Sequence, residues 1–246
     1  MWGNITIAFL LAFITSFVIT PYTMRLAHKV GAIDFPGERK IHNKPIPRLG
    51  GLAIISGFLL SVLYLLFILN IEKTISLVGT ENYGIKLMGF FLGIIILGIT
   101  CFIDDSKNIP AWVKLLAQIL SAVIVTVCGV KIDMIAVPFM EKNIILNNVF
   151  SYILTIGWII GITNAINLID GLDGLSSGIA SIYFLTIGII AMLLNNSNGL
   201  DIILTFIMLG STLGFLVHNF NPAKIFMGDS GSMFLGYIIA VIALLG

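Results

Sequence analysis

Long apolar runs, broken at intervals by short polar stretches, dominate the chain. About eight of them approach the roughly 20 residues that carry an α-helix across a bilayer. They cover residues 4–26, 49–69, 85–103, 112–130, 148–168, 174–194, 201–217 and 232–246. The pattern predicts an all-α fold: a polytopic transmembrane bundle forming one integral membrane domain over residues 1–246. The first run, Ile5 to Met24, is too long for a cleaved signal peptide. No basic residue precedes it and no small-residue cleavage pattern follows, so it reads as a first span. No clear internal repeat is visible, which weighs against a transporter of the inverted-repeat kind.

Composition agrees with lipid as the solvent. The chain is 58% hydrophobic and 10% charged, against about 25% charged residues in a soluble domain. A net charge of +1 supplies no basic face for a nucleic acid. Cys101 and Cys128 sit in apolar runs without metal-ligand partners and read as buried small side chains. Eight spans leave loops 27–48, 104–114, 168–177 and 218–231 on one side of the membrane. With their flanks these hold Arg25, Lys29, Arg39, Lys40, Lys44, Arg48, Lys107, Lys114 and Lys224. The opposite side holds Lys73, Lys86, Lys131 and Lys142. The excess of basic residues predicts that the first set faces the cytoplasm and that the N-terminus lies outside.

The distinctive polar motifs all fall in that cytoplasmic set. Asp104-Asp105 closes a span. Adjacent carboxylates ionise together only beside water, a cation or basic partners, and hard oxygen ligands suit Mg2+. A solvated span end accounts for the pair equally well. Lys107 and Lys114 are placed to contact phosphate or to hold the helix end at the interface. In Asn164-Ala-Ile-Asn167-Leu-Ile-Asp170-Gly-Leu-Asp173-Gly-Leu, four amide or carboxylate residues recur every three positions. On a helix they keep to one slowly rotating side, and Gly171 and Gly174 let the backbone approach a ligand. A charge at mid-bilayer costs roughly 2.5–3.5 kcal/mol or more, so the cluster belongs at the interface or in a wet cavity. In Phe226-Met-Gly228-Asp229-Ser230-Gly231, two glycines flank a carboxylate just before a helix whose N-terminus favours phosphate. Ser230 lacks the strand-turn-helix setting of a hydrolase nucleophile. The first loop, Asp34 to Gly51, is basic and stiffened by proline; it suits either a clamp for phosphorylated substrates or attraction to anionic headgroups.

Together and in this order, these four stretches resemble the polyprenyl-phosphate N-acetylhexosamine-1-phosphate transferases. That membrane family includes the phospho-MurNAc-pentapeptide translocase of peptidoglycan synthesis, the initiators of wall teichoic acid and O-antigen synthesis, and a dolichol-phosphate relative. In the first loop, Arg39-Lys40-Ile-His42 followed by Pro45-Ile-Pro47-Arg48-Leu-Gly50-Gly51 looks like the teichoic-acid and O-antigen initiators. The pentapeptide translocases carry Thr-Pro-Thr-Met-Gly-Gly there, and Arg48 stands in place of the second threonine. The resemblance thus implies UDP-N-acetylglucosamine as donor and undecaprenyl phosphate as acceptor, with phospho-MurNAc-pentapeptide transfer as the alternative. It also implies that the family's C-terminal spans and last cytoplasmic loop lie outside this sequence.

The resemblance further implies Mg2+, with Mn2+ as a substitute, to offset the repulsion of two anionic reactants. Asp229 is then the expected metal ligand, supported by Asn167 and Asp105. Asp104 is the expected base toward the lipid phosphate. Asp170 and Asp173, with Gly171 and Leu172, border the nucleotide, and Phe226 stacks on uracil. Lys44, Arg48, Lys114, Asn164 and Gly228 complete the substrate contacts. The site is expected to face the cytoplasm of a multi-pass cell-membrane protein, where nucleotide-sugars and the inner-leaflet lipid meet; a homodimer is compatible with it. Two other readings stand beside this one. An ion or proton transporter would place its carboxylates near mid-bilayer rather than at span ends. A truncated, inactive relative would bind nucleotide-sugar without turnover.

Overall fold

Eight α-helices run back and forth in the computed structural model, which describes residues 2–37, 42–71, 83–136, 144–194 and 200–245. They are α1 (Trp2–Val30), α2 (Gly51–Ile71), α3 (Tyr83–Lys107), α4 (Ala111–Val127), α5 (Asn148–Ile169), α6 (Leu175–Leu194), α7 (Leu200–Asn219) and α8 (Gly228–Leu245). Two short antiparallel pairs join them: β1 (Ile33–Asp34) with β2 (Ile46–Pro47), and β3 (Met134–Ile135) with β4 (Ile144–Ile145). Arg39, Lys40, Lys73 and Lys142 lie outside the described residues.

Seven helices are long and apolar enough to cross a membrane. The exception is α4, with 17 residues. The sequence predicts a span to residue 130, but a Schellman turn stops the helix at Val127. Val130 N–H donates to Val125 O and Gly129 N–H to Thr126 O, with Gly129 as the left-handed residue at φ +99°. Two other boundaries move in the opposite sense. Helix α3 continues to Lys107, past the expected 103, and α8 begins at Gly228 instead of 232. Asp104, Asp105 and Asp229 therefore ride on helix ends and not on loops.

Helix α8 is the axis of the bundle. It packs against α5, α3 and α2 and is buried from Ser230 to Ile242. Around it, Phe58 lies 5.7 Å from Phe234 and 6.2 Å from Phe90, centroid to centroid, and Phe90 stacks on Tyr237 at 6.0 Å. Lipid is as apolar as these side chains, so close packing and small residues hold such helices together more than water exclusion does. The first turns of α2 and α8 approach closely: a methyl group on Gly51 would collide with the Gly231 backbone. Gly98 on α3 has open space at the same position. Gly51→Val is expected to lower stability by roughly 1–3 kcal/mol through overpacking. Gly98→Ala should leave stability unchanged or raise it. Thermal unfolding of the two purified variants in detergent checks the contrast.

Candidate active site

The site grows from the way the loop before α2 and the loop before α8 are stitched together. Phe226 N–H donates to Pro47 O at 2.8 Å, Gly50 N–H to Phe226 O at 3.0 Å and Gly51 N–H to Met227 O at 2.8 Å. The first loop is itself anchored by Arg48 N–H to Ala32 O at 3.0 Å and by the β1–β2 pair. Two segments about 180 residues apart thus run side by side and deliver Gly228, at φ +73°, to the start of α8. A side chain at Gly228 would strike Arg48 O and both Asp105 oxygens.

Asp105 fixes that helix start. Its two carboxylate oxygens accept the backbone N–H groups of Asp229, at 2.9 Å, and Ser230, at 3.0 Å. The first N–H groups of a helix have no partner inside it and carry partial positive charge, so a carboxylate from α3 caps α8 across the bundle. Asp105 is 2% exposed. Its expected part in metal binding would have to share oxygens already engaged in this cap. Arg48 closes the same corner, donating through Nε and Nη2 to Asp105 O, at 3.2 and 3.1 Å, and through Nη2 to Asn108 Oδ1.

Next to the cap lies an ion cluster. Lys114 Nζ is 2.9 Å from Asp104 Oδ2 and 2.7 Å from Asp229 Oδ2. Asp104 Oδ1 also accepts Ile109 N–H at 2.8 Å. Asn167 Nδ2 donates to Asp229 Oδ1 at 3.3 Å and to Ser232 Oγ at 2.8 Å. Helices α3, α4, α5 and α8 therefore meet in one constellation of Asp104, Lys114, Asn167 and Asp229. Two of its members, Asn167 and Asp229, line a cleft of about 1210 Å³, roomier than the roughly 300–1000 Å³ of drug-sized pockets.

The cleft is lined by Asn167, Asp170, Gly171, Leu172, Asp173, Lys44, Arg48, Phe226, Gly228 and Asp229 among the expected residues. Asp173 holds its rim: Oδ2 accepts Asn221 Nδ2 at 3.1 Å and Ala223 N–H at 2.9 Å. Asp104, Asp105 and Lys114 stand behind the lining. Asn164 is the expected residue that the fold turns away from it. Its amide pairs with Gln118, one helical turn deeper than Asn167. The cleft also has lining residues to which the sequence assigns no individual role. Asp34, His42, Asn43 and Lys224 face the cleft. His42 joins Asp34 Oδ2 and Lys44 O, both at 2.8 Å, and sets its ring edge-on to Phe226 at 5.4 Å. The polar residues of the Asp34–Lys44 loop were the available signal for this wall; Gln118, an amide inside an apolar run, was the signal for the deeper pair.

Asp170 lines the cleft and is half-buried. Burial first, then the negative charges of Asp229 and Asp105, raise its pKa well above the ordinary carboxylate value. Mutual repulsion of this kind is what a bound cation relieves. Among the described residues no group of three or more His, Cys, Asp or Glu is arranged as a metal cage. Mg2+ does not need one, because it binds through one or two carboxylates together with water and substrate phosphates. Asp229, Asp170 and the Asn167 carbonyl supply that kind of hard oxygen.

The fold and the site together define a multi-pass helical membrane protein with a cleft lined by acidic and basic side chains at one end of its bundle. The chain belongs to glycosyl transferase family 4, whose family model matches residues 87–246. It is 44% identical over 244 residues to the "Probable undecaprenyl-phosphate N-acetylglucosaminyl 1-phosphate transferase" of Bacillus subtilis (strain 168), covering 99% of this chain and 63% of that protein. It is 35% identical over 236 residues to the decaprenyl-phosphate N-acetylglucosaminephosphotransferase of Mycobacterium tuberculosis (strain CDC 1551 / Oshkosh), covering 93% and 57%. A phospho-N-acetylmuramoyl-pentapeptide-transferase of Lactobacillus gasseri is 32% identical over 253 residues, covering 96% and 75%. The chain therefore spans about three-fifths of the length of the first two relatives.

Two outcomes follow from the geometry. Asp105→Ala leaves two α8 N–H groups unpaired and is expected to cost roughly 1–3 kcal/mol of stability, read by thermal unfolding in detergent. The Asp170 effect has a defined sign. Its folded pKa lies above the unfolded one, so ionisation opposes folding. The penalty is absent below the unfolded value, near 4, and grows as pH rises through the folded value. Asp170→Asn should therefore raise the unfolding temperature at neutral pH in chelator, and the gain should fade on acidification.

Proposed function

We propose that the protein transfers N-acetylglucosamine-1-phosphate from UDP-N-acetylglucosamine to undecaprenyl phosphate, releasing UMP, as the first membrane step of a cell-envelope polysaccharide or teichoic acid. The observation that carries this reading is the Asp229 carboxylate in the cleft wall, held between Lys114 and Asn167 at the start of α8. The names and higher identity of the N-acetylglucosamine-phosphate relatives favour that donor over UDP-MurNAc-pentapeptide. Arg48 in the first loop favours it too. The basic residues at this end of the bundle support a cytoplasmic orientation.

In the reaction an oxygen of the lipid phosphate forms a bond to the sugar-linked phosphorus of the diphosphate. The bridging P–O bond breaks and UMP leaves with the electron pair. Positioning and charge neutralisation are the main demands of such a transfer. Mg2+ held by Asp229, with Asn167 and Asp170 beside it, would neutralise the diphosphate and stabilise the leaving UMP. Lys114, Lys44 and Arg48 add positive charge around the phosphates. Phe226, steadied by His42, offers a face to uracil, and the Gly171–Asp173 turn borders the nucleoside. Asp104 is the expected base. Both its oxygens are engaged by Ile109 N–H and Lys114, so a lipid phosphate reaches it only by displacing Lys114. A phosphate monoester with a second pKa of about 6 is already largely ionised at neutral pH, which makes the demand for a base small.

The test uses the full-length protein with undecaprenyl phosphate, labelled donors and Mg2+. UMP release should require the metal and should fall roughly 10²–10³-fold in Asp229→Asn. UDP-N-acetylglucosamine should be used in preference to UDP-MurNAc-pentapeptide. Undiminished turnover in Asp229→Asn would contradict the site; the reverse donor preference would contradict the branch.

A further inference from the structure

Gln118 lies one helical turn inside α4 from Lys114, outside the cleft. It is 3% exposed in a mainly apolar helix, a setting where an unpaired amide is costly. Its amide closes a reciprocal pair with α5: Asn164 Nδ2 donates to Gln118 Oε1 at 2.7 Å, and Gln118 Nε2 donates to Asn164 Oδ1 at 3.3 Å. Asn164 Nδ2 also donates to Ile160 O at 2.8 Å. Gln118 Nε2 reaches Met233 Sδ of α8 at 3.6 Å, and Cys101 Sγ of α3 meets the same sulfur at 3.3 Å.

Each member of this layer stands one turn below a member of the ion cluster. Gln118 follows Lys114 by four residues, Asn164 precedes Asn167 by three, Met233 follows Asp229 by four, and Cys101 precedes Asp104 by three. On an α-helix such spacings return to the same face about 4.5–6 Å along the axis. The four helices that meet at the ion cluster are thus joined a second time directly beneath it. An apolar contact tolerates sliding. A two-way amide pair does not, because a slip leaves donors and acceptors unpaired in apolar surroundings.

We propose that Gln118, through its reciprocal pair with Asn164, is a positioning residue that sets the register of α4 against α5 and α8 and so keeps Lys114, Asn167 and Asp229 within mutual reach. This rests on the transferase reading above, and it gives Asn164 a role through Gln118 in place of substrate contact. The nucleoside side of the cleft is anchored separately, by Asp173 to Ala223 N–H and by Phe226 to Pro47 O. Loss of the pair should therefore harm the chemical step and spare donor binding.

The experiment is a double-mutant cycle in the full-length protein with Gln118→Met, Asn164→Leu and the two combined. Each should lower kcat roughly ten- to a hundredfold, since displacement of about 1 Å suffices for that. Donor KM should stay within about twofold, the pattern of an interaction needed only in the transition state. The combined variant should be no worse than either single one, because both remove one interaction. It removes both polar partners, so it carries the test alone should a single variant fail to fold. Unchanged kcat in folded protein, a raised donor KM in Asn164→Leu, or losses that multiply in the combined variant would each overturn the inference. Wild-type protein that releases no UMP refutes the transferase reading separately. Positioning is then judged by Mn2+ alone, through electron paramagnetic resonance without substrates. Binding roughly tenfold weaker in the variants supports it, and unchanged binding overturns it.

Discussion

The carboxylate of Asp105, received by the first two N–H groups after Gly228, is the contact on which the site depends. A helix start has backbone donors with no partner inside the helix, and those of α8 are shielded by the elements packed around it. By meeting that need from α3, Asp105 allows α8 to begin at Gly228 and places Asp229 in its first turn. The neighbouring residue Asp104 then faces Lys114, which turns to Asp229. The two adjacent aspartates thus divide the work: one holds the backbone of α8, the other holds the cation that meets its side chain.

The close approach of α2 and α8 and the pairing of Pro47–Gly51 with Phe226–Met227 belong to the same construction. They bring the basic first loop over the start of α8, so that Arg48, Lys44 and His42 face the residues that follow Asn167. The acidic side of the cleft comes from helix ends, and the opposite wall from loops pinned to them by backbone hydrogen bonds. Asp170, crowded by Asp105 and Asp229, marks the place where negative charge exceeds what Lys114 neutralises.

Much of this was legible in the sequence. Apolar runs of near-span length located the helices, because lipid enforces that length. The gathering of polar motifs at alternate loops pointed to the end of the bundle where the cleft lies, because consecutive helices reverse direction. What pattern alone did not reveal was depth. Asn164 and Asn167 share a helical face, but one turn separates a residue paired inside the bundle from one at the cleft. Asp105 reads as half of an acidic pair, and its commitment to α8 arises from a contact 124 residues away in sequence. The early end of α4 was written in Gly129, whose left-handed turn outweighed the apolar run around it.

The proposed sugar-phosphate transfer would take place at the end of the bundle that carries the basic loops, on the cytoplasmic side. Sealed vesicles of opposite orientation, supplied with UDP-N-acetylglucosamine that cannot cross the membrane, test this most directly. Inverted vesicles, with the cytoplasmic face outward, should form labelled undecaprenyl product and UMP, and right-side-out vesicles should form neither until permeabilised. Equal product from intact right-side-out vesicles would contradict the account.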